Sequence, residues 1–351
     1  GLGPTADDRT SAAVALALGT PLRRDPESWE VITSHLNKHN IPMTQGIAKM
    51  AELPEGARRI DLARPRAGYY MSYADKPLFF LPGVPEEMAD MLKTFVLPTL
   101  KKRFPEQITI RSQVLRVFGL RESEIAERLA ELEEKHSTVG FGYFPHFPEN
   151  RVSLTVQSTT STSADAILEE VVEAVVQELG LYVYGRGDDR LEMVVGRNLM
   201  DNGRTLALAE SCTGGLIAHL ITNAPGSSAY FDRSLVAYSD AAKTSHLLVS
   251  PDLIAQHGAV SAQVAEAMVR GLKRESKPNI ALAVTGLAGP TGGTPDKPVG
   301  TVFLALLSDK GLRTERFQFG GEREKIKLAA AYTALDWLRR AIIDESFFDA
   351  G

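Results

Sequence analysis

Apolar and polar positions along the chain fall into three stretches with different rhythms. Over residues 1–105 helical stretches alternate with short apolar runs. Pro4 and Thr5 open a predicted helix carrying Ala12, Ala13, Leu16 and Ala17. Asp7 and Asp8 fall in its first turn, where carboxylates complement the helix dipole. A predicted strand over 78–81 runs into Pro82-Gly83-Val84-Pro85 and then a helix beginning near Glu86. That is a strand–turn–helix unit of the kind α/β sheets require.

Residues 106–185 have a cleaner order. A strand is predicted over 113–118, then an amphipathic helix over 123–135 with Ile125, Leu129 and Leu132 on one face. Strands over 139–143 and 151–157 follow, joined by a proline-rich turn. A helix over 164–179 buries Ile167, Leu168, Val171, Val172 and Val175 and stops at Gly180, before a strand over 181–184. The order β-α-β-β-α-β predicts a small split-βαβ module. Gly185-Arg186-Gly187-Asp188-Asp189 reads as a linker.

Residues 190–351 open with a helix ending near Asn202-Gly203. A strand over 205–209 then runs into Glu210-Ser211-Cys212-Thr213-Gly214-Gly215 and a helix over 216–222. Strands are predicted over 280–285, 301–307 and 313–319, and a final helix over 322–343 carries Ala329, Ala330, Ala334, Leu335 and Leu338. Helices packed around a sheet make this a third α/β domain.

Length agrees with several domains, since 351 residues exceed one ordinary core. A net charge of -5 gives no broad attraction for DNA or an anionic membrane, and no nucleic-acid motif stands out. Cys212 is the single cysteine, which excludes an intrachain disulfide and fits a reducing compartment. The longest apolar runs, 280–285 and 302–307, are too short to span a bilayer. No basic-then-apolar signal segment opens the chain, so a cytoplasmic protein is expected. The chain starts directly on Gly1-Leu2-Gly3-Pro4-Thr5, a turn of the sort that follows a strand, and reads as a fragment.

The strand-to-helix turn at Ser211 carries the most chemistry. A hydroxyl there sits beside helix N–H groups, at Cys212, Thr213, Gly214 and Gly215, that can stabilise an oxyanion. Paired glycines let a ligand approach the backbone. The plainer alternative is a capping serine with glycines that bind a phosphate. A nucleophilic serine needs a base, and His219, His246, His257 and Lys243 all qualify by type. Cys212 is a rival nucleophile, or simply a small buried hydrophobe. The glycine-rich loop Thr285-Gly286-Leu287-Ala288-Gly289-Pro290-Thr291-Gly292-Gly293, followed by Lys297, suits a phosphorylated ligand. Arg323, at a helix start, offers a further phosphate contact or an exposed first-turn arginine.

Together these elements resemble the CinA family over essentially the whole chain. Ala209-Glu210-Ser211-Cys212-Thr213-Gly214-Gly215 is similar to the signature of its C-terminal domain. Pro225-Gly226-Ser227-Ser228, Tyr238-Ser239, Lys243, Gln256-His257-Gly258-Ala259-Val260-Ser261, Thr285-Gly286-Leu287-Ala288-Gly289-Pro290 and Lys297-Pro298-Val299-Gly300-Thr301 follow in the same order. The resemblance implies a nicotinamide mononucleotide deamidase that yields nicotinate mononucleotide and ammonia without a cofactor. It places the nucleophile on Ser211, the general base on Lys243, a supporting role on Tyr238 and a substrate contact on Arg323. It moves the base from the histidines to Lys243, and it implies a homodimer.

The first stretch resembles the family's molybdopterin-binding-like domain through Gly1-Leu2-Gly3-Pro4-Thr5, Asp7, Asp8 and Thr10, and through Leu81-Pro82-Gly83-Val84-Pro85 with Glu87 and Met88. The resemblance implies a metal-dependent ADP-ribose pyrophosphatase, with Asp7 and Asp8 near a divalent cation. Two departures stand against it. The family's strands before this turn are absent, and the stretch Asp61-Leu62-Ala63-Arg64-Pro65-Arg66-Ala67-Gly68 lacks a Gly-Thr-Ala-Pro-Gly motif. The expected fold is therefore α/β: a molybdopterin-binding-like domain lacking its first strands (1–105), a split-βαβ module (106–185) and an amidase domain (190–351). The alternatives to the deamidase are the pyrophosphatase and a non-enzymatic nucleotide-binding protein linked to DNA uptake.

Overall fold

A computed structural model describes residues 1–61, 63–65, 67–104 and 108–349. Two compact units divide it, Gly1–Gln107 and Ile108–Gly351. The boundary expected at 105/106, and positions 62 and 66 of the 61–68 stretch, lie outside the described residues.

The first unit contains α1 (Thr10–Leu18), β1 (Leu22–Arg24), α2 (Pro26–His39), α3 (Gln45–Lys49), β2 (Glu52–Pro54), β3 (Arg58–Arg59), β4 (Tyr69–Tyr73), β5 (Lys76–Phe80), α4 (Pro85–Met91) and, after one π-helical turn, α5 (Leu97–Arg103). Asp25 caps α2 by accepting the Ser28 N–H at 2.8 Å, with Pro26 at the first position. One expectation needs correction. The first helix starts at Thr10, so Asp7 and Asp8 precede it. Asp8 instead accepts the N–H and the hydroxyl of Thr5, at 3.0 and 2.5 Å, and this local turn competes with helix. The expected strand–turn–helix unit is present, with β5 running into α4 through the proline-rich turn and pairing antiparallel with β4. Ala74 and Asp75, both at positive φ, make the tight turn between them.

The second unit begins with β6 (Thr109–Val117), α6 (Glu122–Lys135), β7 (Val139–His146), β8 (Glu149–Ser158), α7 (Ser161–Leu179) and β9 (Val183–Arg186). Its antiparallel sheet has the order β7-β8-β6-β9, the split-βαβ arrangement. Alternate residues Leu115 and Val117 of β6, with Val152, Leu154 and Val156 of β8, pack on Ile125, Leu129, Val171 and Val175 of the helices. The segment 185–189 is not a loose linker. Gly185 and Arg186 pair within β9, and Asp189 accepts from Arg186 N–H at 3.0 Å and from Arg197 at 2.6 Å.

The remainder comprises α8 (Leu191–Asp201), β10 (Leu206–Glu210), α9 (Leu216–Thr222), β11 (Phe231–Val236), α10 (Asp240–Leu247), α11 (Pro251–His257), α12 (Ala262–Ser276), β12 (Ile280–Gly286), β13 (Thr301–Leu307), β14 (Leu312–Gln318) and α13 (Arg323–Ile343). The sheet order is β11-β10-β12-β13-β14, with β10 parallel to both neighbours and β13 and β14 antiparallel additions. Leu206, Leu208, Leu282 and Val284 face α8, α9 and α13, whereas Ala207, Ala209, Ala281 and Ala283 face α12. Burial on both faces explains why β12 reads as one unbroken apolar run. After β10 the chain turns to β11 on one side, and only later crosses to β12 on the other. The carboxyl end of β10 is therefore a topological switch point, where open α/β sheets form their crevice.

Candidate functional site

Ser211 is the first residue beyond β10 at that crevice. Its N–H donates to Val284 O at 3.0 Å, which carries the β10–β12 pairing one residue further. Its carbonyl accepts the Gly214 N–H at 3.1 Å, closing a tight turn. Gly214 and Gly215 both have positive φ, so the chain reverses into α9 there without a side-chain penalty.

Glu210, wholly buried, does the capping. Its carboxylate accepts the N–H groups of Gly215, Ile217 and Ala218 at 2.9, 3.1 and 2.9 Å, and the Ser234 hydroxyl at 3.3 Å. The expectation of free donors from Cys212 to Gly215 is corrected accordingly. Gly214 and Gly215 are spent on Ser211 and Glu210, and of the four N–H groups only those of Cys212 and Thr213 bond neither to a backbone carbonyl nor to Glu210 among the described residues.

Lys243 reaches the serine from α10, whose N-terminus is capped by Ser239 accepting from Ala242 N–H at 3.1 Å. The lysine is only 2% exposed and Ser211 only 7%. Nζ lies 3.1 Å from Ser211 Oγ and 3.2 Å from the Tyr238 carbonyl. Burial pushes the Lys243 amine below its ordinary range, against the weaker opposing pull of Asp240 and Cys212. His219 and His246 are exposed, and neither they nor His257 bonds to Ser211 among the described residues. Cys212 is buried, which pushes its thiol up to about 12 and makes it a poor source of thiolate.

A chain of contacts extends from this pair. Tyr238 accepts from Arg323 Nη2 at 2.6 Å through its phenol oxygen, and Arg323 Nη1 donates to Gly289 O at 2.6 Å. Ser211, Lys243, Tyr238, Arg323 and Gly289 are thus connected. A second set stands on the loop before α12. Thr285 donates to Ala259 O at 2.8 Å, and Lys297 to His257 O at 2.8 Å. Gly286 and Gly289 serve packing: a β-carbon on Gly286 would lie 2.7 Å from Val302 Cγ2, and one on Gly289 2.5 Å from Val299 Cγ1. Thr213 is buried, and its hydroxyl has no hydrogen-bond partner among the described residues.

Sequence reasoning missed two residues here. The cap formed by Glu210 lay inside the quoted motif without a role. Lys327, whose Nζ would stand 3.7 Å from a β-carbon on Gly214, was marked only by its i+4 spacing from Arg323.

Asp7 and Asp8 belong to the first unit. Asp8 is committed to Thr5, and no group of three or more His, Cys, Asp or Glu among the described residues is placed to hold a metal ion.

Over 347 residues, spanning 99% of this chain and 81% of the other, the sequence is 43% identical to a CinA-like protein of Syntrophobacter fumaroxidans. The chain belongs to the CinA family. A CinA-like protein of Geobacter sulfurreducens is 42% identical over 345 residues, covering 98% of this chain and 83% of that one. Family models match in three places: the CinA C-terminal domain over 188–342, the damage-inducible protein CinA KH domain over 112–185, and a "probable molybdopterin binding domain" over 1–102. No Gly-X-X-Gly loop, the clamp KH domains place on nucleic acid, occurs within 112–185. Among solved structures, a competence/damage-inducible protein of Agrobacterium tumefaciens is 40% identical, covering 43% of this chain and 94% of that one, with a TM-score of 0.41. A CinA superfamily protein of Klebsiella pneumoniae is 34% identical over 44% of this chain and 96% of its own, with a TM-score of 0.42. Among the described residues of this CinA chain, no helix is long and apolar enough to cross a membrane.

Proposed function

We propose that the C-terminal domain hydrolyses the carboxamide of nicotinamide mononucleotide, giving nicotinate mononucleotide and ammonia. The observation that carries this reading is the 3.1 Å contact between a buried lysine amine and the Ser211 hydroxyl. Desolvation favours the neutral amine, whose lone pair accepts the Oγ proton while an N–H donates to the Tyr238 carbonyl.

Ser211 Oγ then attacks the carboxamide carbon and the carbonyl pair moves to oxygen. The N–H groups of Cys212 and Thr213 are the donors left to meet that charge. As the C–N bond breaks, the Lys243 ammonium returns its proton to nitrogen and ammonia leaves. Water attacks the acyl-enzyme, Lys243 takes the proton, and its transfer to Ser211 Oγ releases nicotinate mononucleotide. Every proton in this sequence is carried by Lys243, so turnover is expected to survive a chelator.

The test is ammonia release from nicotinamide mononucleotide in EDTA by the parent chain, Ser211→Ala and Lys243→Met. Turnover that falls by about 10²-fold or more in both variants supports the pair, on the usual scale of positioned acid–base groups. A folded parent that releases no ammonia overturns the reading.

A further inference from the structure

At strand–turn–helix sites a phosphate commonly sits on the helix N-terminus. Here that place is filled from within the chain. The Glu210 carboxylate takes the N–H groups of Gly215, Ile217 and Ala218. A phosphate brought there would meet a buried negative charge in place of free donors. An anionic substrate at Ser211 must find its countercharge on a side chain.

Among the described residues, Arg323, Lys297 and Lys327 are cations outside the Ser211–Lys243 pair that stand near the turn or its loops, together with Arg316, which is held on the Asp296 carbonyl. Arg323 is engaged at both ends, by Gly289 O and the Tyr238 phenol. Lys297 is held on the His257 carbonyl. Lys327 lies one helical turn beyond Arg323 on the same face of α13. Its ammonium stands over Gly214, 3.7 Å from where a β-carbon would be, and it makes no hydrogen bond or ion pair among the described residues. Gly214 closes the turn that begins at Ser211, and the ends of such a turn are within about 7 Å. The free cation therefore stands beside the short turn that carries Ser211.

We infer that Lys327 binds the phosphate of the substrate and sets the preference for a mononucleotide over its riboside. The inference rests on the proposed reaction for the identity of the ligand, but not on turnover. Gly214 contributes by having no side chain between the ammonium and the site, and a lysine serves as a compact point charge for phosphate.

Binding and turnover are measured separately, with the full chain. Calorimetry in the Ser211→Ala background compares nicotinamide mononucleotide with nicotinamide riboside, with and without Lys327→Met or Lys327→Arg. The expected result is a weakening of mononucleotide binding by about tenfold or more in Lys327→Met, with riboside binding unmoved and Lys327→Arg retaining most of the affinity. Steady-state kcat/KM on the otherwise unaltered chain is expected to show the same loss, carried by KM. Equal loss for both ligands, equal loss in the methionine and arginine variants, or unchanged mononucleotide binding overturns the inference. Lys327-dependent binding without ammonia release from the parent would sink the proposed reaction and leave the phosphate site standing.

Discussion

Arg323 and Tyr238, 85 positions apart in sequence, meet through Nη2 and the phenol oxygen at 2.6 Å. The same arginine reaches Gly289 O, so one guanidinium ties the start of α13, the glycine-rich loop and the segment leading into α10. Lys243 leans on the Tyr238 carbonyl from the other side. Removing the phenol oxygen releases one arm of the guanidinium while leaving that carbonyl in place. Tyr238→Phe is expected to lower kcat/KM for nicotinamide mononucleotide by several-fold to about tenfold. The tyrosine is half exposed, and water replaces part of what a charge-assisted bond of about 1.5–3 kcal/mol contributes. Arg323→Ala, which loses both arms, is expected to cost more. Equal kinetics for Tyr238→Phe and the parent would remove Tyr238 from the site.

Glu210 holds four donors at once: three N–H groups of the turn and helix, and the Ser234 hydroxyl. Glu210→Gln preserves the shape but turns one accepting oxygen into an NH₂ group that faces donors. A loss of about 1–3 kcal/mol is expected, as for other buried donors left unpaired, and urea denaturation reads it as a lower midpoint at constant slope. Ser234→Ala removes a single, longer bond and is expected to cost less than about 1 kcal/mol. A Glu210→Gln variant as stable as the parent would show that the helix N-terminus does not depend on the carboxylate.

Much of this was legible in the chain, for identifiable reasons. The split-βαβ module could be read because Leu115, Val117, Val152, Leu154 and Val156 keep strict alternation, while Ile125 and Leu129 keep helical spacing. The edge strand β11 was missed because Asp232, Arg233 and Ser234 interrupt any apolar alternation, as solvent-facing edges do. The hairpin of β4 and β5 was missed because Ala74-Asp75 carries no glycine to mark its turn. In the site, Ser211 was marked by its strand-to-helix turn, but burial is a tertiary property. Nothing in the letters around Lys243 says that it is buried while His246, three residues on, is exposed. Glu210 likewise reads the same whether its carboxylate faces a ligand, water or its own helix.

Gly286 ends β12 against the back of the Ser211 turn. An added β-carbon would lie 2.7 Å from Val302 Cγ2, 2.8 Å from Thr301 O and 3.0 Å from Cys212 Sγ. The first two belong to the neighbouring strand and the third to the residue after Ser211, so relief requires one of them to move. Gly286→Ala is expected to destabilise by about 1–3 kcal/mol, the range for an overfilled core, and to lower kcat as Cys212 is pushed. Gly320→Ala, where nothing stands within 4 Å, is the control and should shift stability by less than about 0.5 kcal/mol. Equal midpoints for the two variants would show that the sheet absorbs the methyl group freely.

The buried amine of Lys243 makes activity and stability depend on pH in linked ways. Its pKa in the fold lies below the 10.5 of a free lysine, because burial disfavours the charged form. In the proposed reaction the base is the neutral amine, so kcat/KM is expected to rise with pH through the folded pKa and then level. For folding, the unfolded chain binds the extra proton between the folded pKa and 10.5, so this group makes stability increase with pH across that window. Below the folded pKa both states are protonated and the cost of burying the charge is felt in full. Lys243→Met removes that cost. It is expected to abolish turnover yet raise the Tm by a few degrees at neutral pH, with the gain shrinking as pH climbs toward 10.5. Thermal melts of parent and variant across that range, beside the pH profile of kcat/KM, read both effects. A Lys243→Met chain whose stability relative to the parent is flat with pH would mean that the amine keeps its ordinary proton affinity, and the base would have to be sought elsewhere.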